Sequence, residues 1–392
     1  MGTSKRSVTI RAVRNLALVV VLGSSVAGFA QPPAPPVIVS VKPIAPPATP
    51  LPAEDASASI RRFAFIAYGD TRSGSEAGVP GDGQVLHPMH SQLVDAMLAK
   101  IKDAAATPFP IRFVLQSGDA VLRGQNGVMW NVSFSPIIER LTRVGNVPYF
   151  FSVGNHDVTG MPVGDPGRAL GLHNTLTAIS ALIPPEGSPR RLSGYPTYAF
   201  GFGQLFAIAL DSNIVTDRVQ FEWVTNQLEN LDRSRYRHVV AFFHHPPFTS
   251  GPHGGPVLEP QTEAIRQLYL PLFRRHHVRL TITGHDHLLD HWVERYTDGG
   301  AAYRRDDIVT GGGGAPIYTY TGEPDLSGYV AAGRAASVRV DHLARPGRTR
   351  DDNPHHFLVI RVDGDRLSLE VTSIGGKRLT PYRGKASVEL ND

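Results

Sequence analysis

Short apolar runs that stop abruptly at polar residues are the repeating pattern of this chain. Residues 63–68, 111–115, 149–151, 238–243 and 278–283 are such runs, rich in aromatic and β-branched side chains. They predict strands, and the first, lacking polar alternation, a strand buried on both faces. Between them, apolar residues fall at helical spacing: Leu93, Val94, Met97 and Ile101 beyond His87 and His90, then Trp130, Phe134, Ile137, Ile138 and Leu141. Phe221, Val224 and Leu228 predict a helix over 217–231, and another is predicted over 259–273. Strands alternating with helices predict an α/β protein.

Other segments read less regularly. Residues 198–200 and 205–210 read as two antiparallel strands joined by Gly201 and Gly203, and 291–304 and 308–310 as further strands. A hairpin is predicted within 355–373, its strands at 357–362 and 367–371 turned by Asp363-Gly364. Residues 159–193 are rich in Gly, Pro and Arg and predict a long excursion with one helical stretch near 172–182. Gly311 to Gly314 read as a mobile or tightly turned loop, and 326–353 carry no decisive pattern.

The amino end is read separately. Lys5, Arg6, Arg11 and Arg14 precede the apolar run Leu16 to Leu22, and small residues continue to Ala30. This is the plan of a secretory signal peptide over 1–30, cut near Ala27 or Ala30; Gly23, Ser24 and Ser25 interrupt the run before it could comfortably span a membrane. Residues 31–59, dense in proline and alanine, are expected to form an extended linker, and 60–385 the folded domain. The expected location is periplasmic or secreted, with no stable membrane span once the signal is removed.

Removing the leader changes the charge. The whole chain has 39 Lys plus Arg against 35 Asp plus Glu; without its first 30 residues the two counts are equal at 35. A nearly neutral protein lacks the broad positive field of a nucleic-acid binder, so no nucleic-acid partner is expected. There is no cysteine, so any metal must be held by His, Asp, Asn or water.

The residues just past each apolar run carry the chemistry: Gly69-Asp70-Thr71-Arg72, Gly118-Asp119, Gly154-Asn155-His156-Asp157, His244-His245-Pro246-Pro247 and Gly284-His285-Asp286-His287. One such sequence is an ordinary turn. Five of them put one set of ligand types at five strand ends, where a sheet holds side chains rigidly and loops leave them open. His285 and His287, two apart on an extended segment, point the same way. Nitrogen and oxygen ligands without sulfur suit Mn, Fe, Zn or Mg. The ligands outnumber what one ion needs, and two ions about 3.5 to 4 Å apart sharing a carboxylate can grip a phosphate ester for in-line attack.

This ordered set, spread over residues 69–287, resembles the calcineurin-like metallophosphoesterase superfamily, including the purple acid phosphatases. The resemblance implies a two-sheet β-sandwich flanked by helices (α/β/β/α) with two divalent or trivalent ions at the strand ends. It makes Asp119 the bridging ligand, gives Asp70 and His287 to the first ion, and gives Asn155, His285 and one of His244 and His245 to the second. His244, two before the proline, is the expected one. His156 would face the substrate and give a proton to the leaving oxygen, oriented by Asp157.

The first motif departs from the family pattern. Many members read Asp-x-His where this chain has Arg72, and the tyrosine of purple acid phosphatases is replaced by Leu122. Two expectations address the gap: His90 moves in as a replacement ligand, and Arg72 clamps a phosphate oxygen. The expected function is an exported, metal-dependent phosphoesterase acting on a small phosphomonoester or phosphodiester, its substrate chosen by the loops at 73–86, 159–196 and 311–325. The alternative is a non-catalytic binding protein of the same fold with an incomplete first metal site.

Overall fold

The computed structural model describes residues 39–73, 85–158 and 164–390. The expected signal peptide, the start of the linker at 31–38, and most of the 73–86 loop lie outside the described residues.

The predicted buried runs become parallel neighbours. In chain order the strands are β1 (Arg62–Tyr68), β2 (Ile111–Gln116), β3 (Tyr149–Phe151), β4 (Tyr198–Phe202), β5 (Leu205–Ala209), β6 (His238–Phe242) and β7 (Leu280–Thr283). They continue as β8 (Leu289–Asp298), β9 (Ala301–Thr310), β10 (Arg339–Ala344), β11 (His356–Asp363), β12 (Arg366–Ser373) and β13 (Ser387–Glu389). One sheet has the order β13-β12-β11-β1-β2-β3, the other β10-β8-β9-β7-β6-β5-β4. Pairing is parallel for β1 with β2, β2 with β3, β5 with β6 and β6 with β7, so the ends of these strands open on the loops that carry the motifs.

Aromatic side chains hold the sheets face to face. Phe150 of β3 stacks on Phe200 of β4 with ring centroids 3.8 Å apart, and Phe63 of β1 meets Phe202 edge-on at 4.9 Å. Such pairs add to the burial of their own large surface. Tyr198 spans the layers: its hydroxyl donates to the Phe151 carbonyl and accepts from the Phe151 N–H, both at 2.9 Å. Helices cover the outer faces. Leu93, Val94 and Met97 of α1 (Pro88–Ala104), with Ile137 and Ile138 of α2 (Ser135–Glu139), join the core around the first sheet. Asp165 caps α3 (Pro166–Ile179) by accepting from the Gly167 and Arg168 N–H groups. Val224 and Leu228 of α4 (Arg218–Glu229) pack on the second sheet, and beside them α5 (Pro260–Ala264) runs through a wide turn into α6 (Leu270–Arg275).

Several expectations are corrected. Residues 291–304 are not one strand; β8 and β9 form a hairpin that turns at Gly299 and Gly300, with φ of 55° and 82°. The helix within 159–193 is α3, which begins earlier than 172. Residues 326–353 contain α7 (Ser327–Ala332) and the edge strand β10. The expected linker is not free of the core beyond residue 38: Val41 and Ile44 are buried, and the Ile44 N–H donates to the Ala178 carbonyl at 2.8 Å. Proline there fixes an extended path against the body. The four glycines at 311–314 are buried, and the Gly313 N–H donates to the Gly69 carbonyl, so they serve close packing beside β1.

Candidate metal centre

Side chains from the ends of five strands meet in one pocket. Asp70 lies two past β1, Asp119 three past β2, Asn155 four past β3, and His244 and His285 two past β6 and β7. Asp70, Asp119 and His285 have φ of 61°, 58° and 71°, the left-handed region that few non-glycine residues enter. Strain of this kind gathers at functional sites. It turns each side chain back over its strand end.

Glycines clear the space. A Cβ on Gly154 would stand 2.1 Å from Asp119 Oδ1, and one on Gly284 2.2 Å from Asp70 Oδ2. The glycine that opens each of these motifs is therefore required by the carboxylate beside it.

Proton bookkeeping shows what the pocket wants. His244 Nδ1 is 3.0 Å from the Ser117 carbonyl, which only accepts, so Nδ1 carries the proton and Nε2 has a lone pair. His285 Nε2 lies 2.8 Å from Glu259 Oε2, which leaves the lone pair on Nδ1. These two lone pairs face each other at 3.1 Å. Asn155 Oδ1 lies 2.9 Å from the first and 3.2 Å from the second, and Asp119 Oδ1 is 3.3 Å from His244 Nε2. Asp119 Oδ1 accepts the His156 N–H at 3.0 Å, and among themselves the four acceptors converge without a proton to share. Donors bound to one ion at about 2.1 Å stand roughly 3.0–3.4 Å apart, so the set fits a metal. With imidazole, amide and carboxylate donors it fits Mn, Fe or Zn, and less well Mg.

The adjoining corner is built differently. His287 Nδ1 donates to the Pro316 carbonyl at 2.6 Å, and its ring stacks on Tyr318. Its Nε2 faces Asp70 Oδ1 at 3.5 Å. Asp70 also accepts the His285 N–H, at 3.1 Å and 3.0 Å to its two oxygens. The Arg72 Nε lies 3.4 Å from Asp119 Oδ2.

Burial and mutual charge set the protonation pattern. Burial pushes Asp70 well up, and the charge of Asp119 adds to it. For Asp119 burial acts in the same direction, but His244, His156, Arg72 and His285 outweigh it and hold the carboxyl low. Two carboxylates crowded together separate in this way. Burial pushes His244 down to about 3, which keeps its Nε2 lone pair free.

The remaining expected residues divide. His156 lies beside the cluster: Nε2 is 4.0 Å from Asp119 Oδ2 and the ring is 30% exposed. Its orienting group is not Asp157, a correction, but the Leu122 carbonyl, 2.9 Å from Nδ1. Asp157 instead accepts from the N–H groups of Asp119, Ala120, Val121 and Gly154, which holds two of the motif loops together. His90 is also corrected. Fully buried, it bonds the Tyr68 hydroxyl through Nε2 at 3.1 Å and stacks on Phe134, and none of its described contacts reaches Asp70 or His287. Of the histidine pair, His244 joins the cluster, whereas His245 Nδ1 bonds the Ser212 hydroxyl at 2.8 Å.

Among the described residues two groups bring ligand atoms within 4.8 Å of one another: Asp70, Asp119 and His244, and His245, Glu259 and His285. In the second, Glu259 is already engaged by His253 at 2.8 Å and by His285, and these bonds outweigh burial to push it down to about 2. It therefore orients His285. Glu259 and His253 were missed in the sequence because they follow no strand; the sole signal was an acidic residue just before Pro260 at a helix start.

A purple acid phosphatase from yellow lupin (Lupinus luteus) seeds is similar over 84% of this chain and 53% of its own, with 16% identity and a TM-score of 0.56. The present chain thus spans about half the length of that enzyme. An anchor protein of the inner membrane complex of Plasmodium (14% identity, TM-score 0.47) matches over 84% of this chain and 89% of its own. A dimetal phosphatase from Danio rerio (13% identity, TM-score 0.44) matches over 84% and 98%. At 16% identity the likeness to the lupin enzyme is one of fold. No curated protein matches the chain. The family model for calcineurin-like phosphoesterases matches residues 86–289, just over half of the sequence, and the chain belongs to that family.

Proposed function

We propose that this protein is an exported, metal-dependent phosphoesterase that hydrolyses phosphomonoesters or phosphodiesters at the pocket around Asp119. The observation that carries the reading is the convergence of four unprotonated acceptors from Asp119, Asn155, His244 and His285. Such a set is costly to bury unless a cation sits among it.

A bound divalent ion would supply Lewis-acid charge to the phosphate oxygens and acidify water. The chain's own residues do the rest. Asp119, Asn155, His244 and His285 would hold the ion, while Ser117 and Glu259 fix the tautomers of the two imidazoles. His156, its Nδ1–H held by the Leu122 carbonyl, turns Nε2 to the open side, where as the imidazolium it would give its Nε2 proton to the departing alcohol oxygen. Water supplies the hydroxyl that ends on phosphorus, and its proton restores His156. Arg72 adds fixed positive charge beside Asp119 and faces a phosphate oxygen.

The test is hydrolysis of an aryl phosphate and a bis-aryl phosphate by protein loaded with Mn, Fe, Zn or Mg. Turnover with at least one metal, lost with metal binding in His244→Ala, is expected. No turnover of either ester with any metal would favour the second reading, a non-catalytic binder, which the closeness of Arg72 to Asp119 supports. Export is tested on the mature amino end, expected to begin after residue 27 or 30. Among the described residues no helix is long and apolar enough to cross a membrane.

A further inference from the structure

Arg72 stands where the pocket needs a cation that cannot leave. Its side chain is 12% exposed, and its Nε is buried without a hydrogen-bond partner, 3.4 Å from Asp119 Oδ2. A guanidinium has no lone pair for a metal and does not deprotonate in proteins. Asp119 and Asp70 bring carboxylate oxygens within 4.8 Å of each other, and Asp70 Oδ1 faces His287 Nε2 at 3.5 Å, so the guanidinium beside Asp119 borders all three side chains. One fixed positive charge thus serves Asp70, Asp119 and His287 together. The opposite corner shares Asp119 but is otherwise different: among the described contacts of Asn155, His244 and His285 there is no Lys or Arg.

The two corners therefore do not fit ions equally. At the first, the donors are two carboxylates and one imidazole, their negative charge already faced by an arginine. At the second, four acceptors face one another, the two imidazoles turning their protons outward to Ser117 and Glu259. We propose that the Arg72 guanidinium replaces the metal ion at the Asp70–His287 corner, so that the pocket takes one divalent ion, on Asp119, Asn155, His244 and His285. The pocket would then offer one exchangeable and one covalent positive charge to the same phosphate group. This assignment rests on the phosphoesterase reading only in naming phosphate as what they face.

Metal content tests it without recourse to activity. The full mature chain is saturated with Mn(II), desalted, and its metal-to-protein ratio measured, with electron paramagnetic resonance on the same sample. One ion per chain with an uncoupled Mn(II) signal is expected. Arg72→His, which exchanges the cation for a donor, is expected to bind two ions with an exchange-coupled signal, and Arg72→Gln serves the same purpose if the first variant does not fold. Two ions in the unaltered protein would overturn the proposal. So would a folded variant that still takes one. Turnover of the aryl and bis-aryl phosphates by parallel samples loaded with Mn, Fe, Zn or Mg separates the two readings: one ion without turnover under any metal keeps the arginine assignment and removes the enzyme, whereas two ions with turnover do the reverse.

Discussion

At the residue scale, the pocket depends on which nitrogen of each imidazole keeps its proton. Ser117, Pro316 and Leu122 set this with backbone carbonyls and Glu259 with a carboxylate, and none of the four can be picked out from a motif. The ligand types themselves were legible, because each comes just after an apolar run at a strand end. His90 was misread for a physical reason: His87 and Pro88 start α1 so that the third residue turns inward to Tyr68, not toward the carboxylates. Replacing Glu259 by Gln removes the charge that holds the Nε2 proton of His285. Calorimetric titration is expected to show metal affinity about 10- to 100-fold weaker; an unchanged affinity would show that Glu259 does not orient His285. A unit-charge pair at about 4 Å is worth about 4 kcal/mol at an effective dielectric of about 20, and twice that against a divalent ion, which is the scale on which Arg72 opposes a metal at its own corner.

At the element scale, strand-to-loop turns put the ligands in register. The strands were legible from their unbroken apolar runs, and their parallel order from the helices between them. The β8–β9 hairpin was not, since the polar-rich residues around Gly299-Gly300 mask the turn, and α3 begins with Pro166-Gly167, which reads as a loop until Asp165 is recognised as its cap. Gly154→Ala would drive a methyl group against the Asp119 carboxylate and its N–H, at 2.1 Å and 2.4 Å. Loss of metal binding and a destabilisation of about 3 kcal/mol are expected in denaturant titrations. Asp157→Ala would leave four backbone N–H groups without their acceptor. A loss of about 3 kcal/mol or more is expected, and a variant as stable as the parent would show that these bonds do not tie the loops.

At the scale of the whole molecule, the pocket joins the two sheets. Asp119 and Asn155 come from the first, His244 and His285 from the second. An ion binding only the folded state should stabilise it by about 2.7 kcal/mol at about a hundredfold excess over Kd, seen as a rise in Tm that His244→Ala abolishes. Acid acts in the opposite sense. Burial pushes His238 and His356 down to about 4 in the folded chain, outside the pocket's donor set, against about 6.5 when unfolded. The unfolded chain therefore takes up protons first as pH falls. Stability present above about pH 6.5 is lost progressively down to about pH 4, by about 2 kcal/mol for each histidine between about pH 7 and 5. Thermal melts across that window check this, and a flat profile would contradict it. The packing of residues 39–59 on the body was not legible, because proline-rich sequence reads the same whether or not a core lies beside it.

The most direct measurement is the hydrolysis of an aryl phosphate by protein stripped with a chelator and then reloaded with single metals. Turnover that vanishes on stripping, returns with one of Mn, Fe, Zn or Mg, and falls at least about a hundredfold in His156→Ala with metal content unchanged is the predicted result. Stripped protein as active as the reloaded sample, or a His156→Ala variant as fast as the parent, would contradict it.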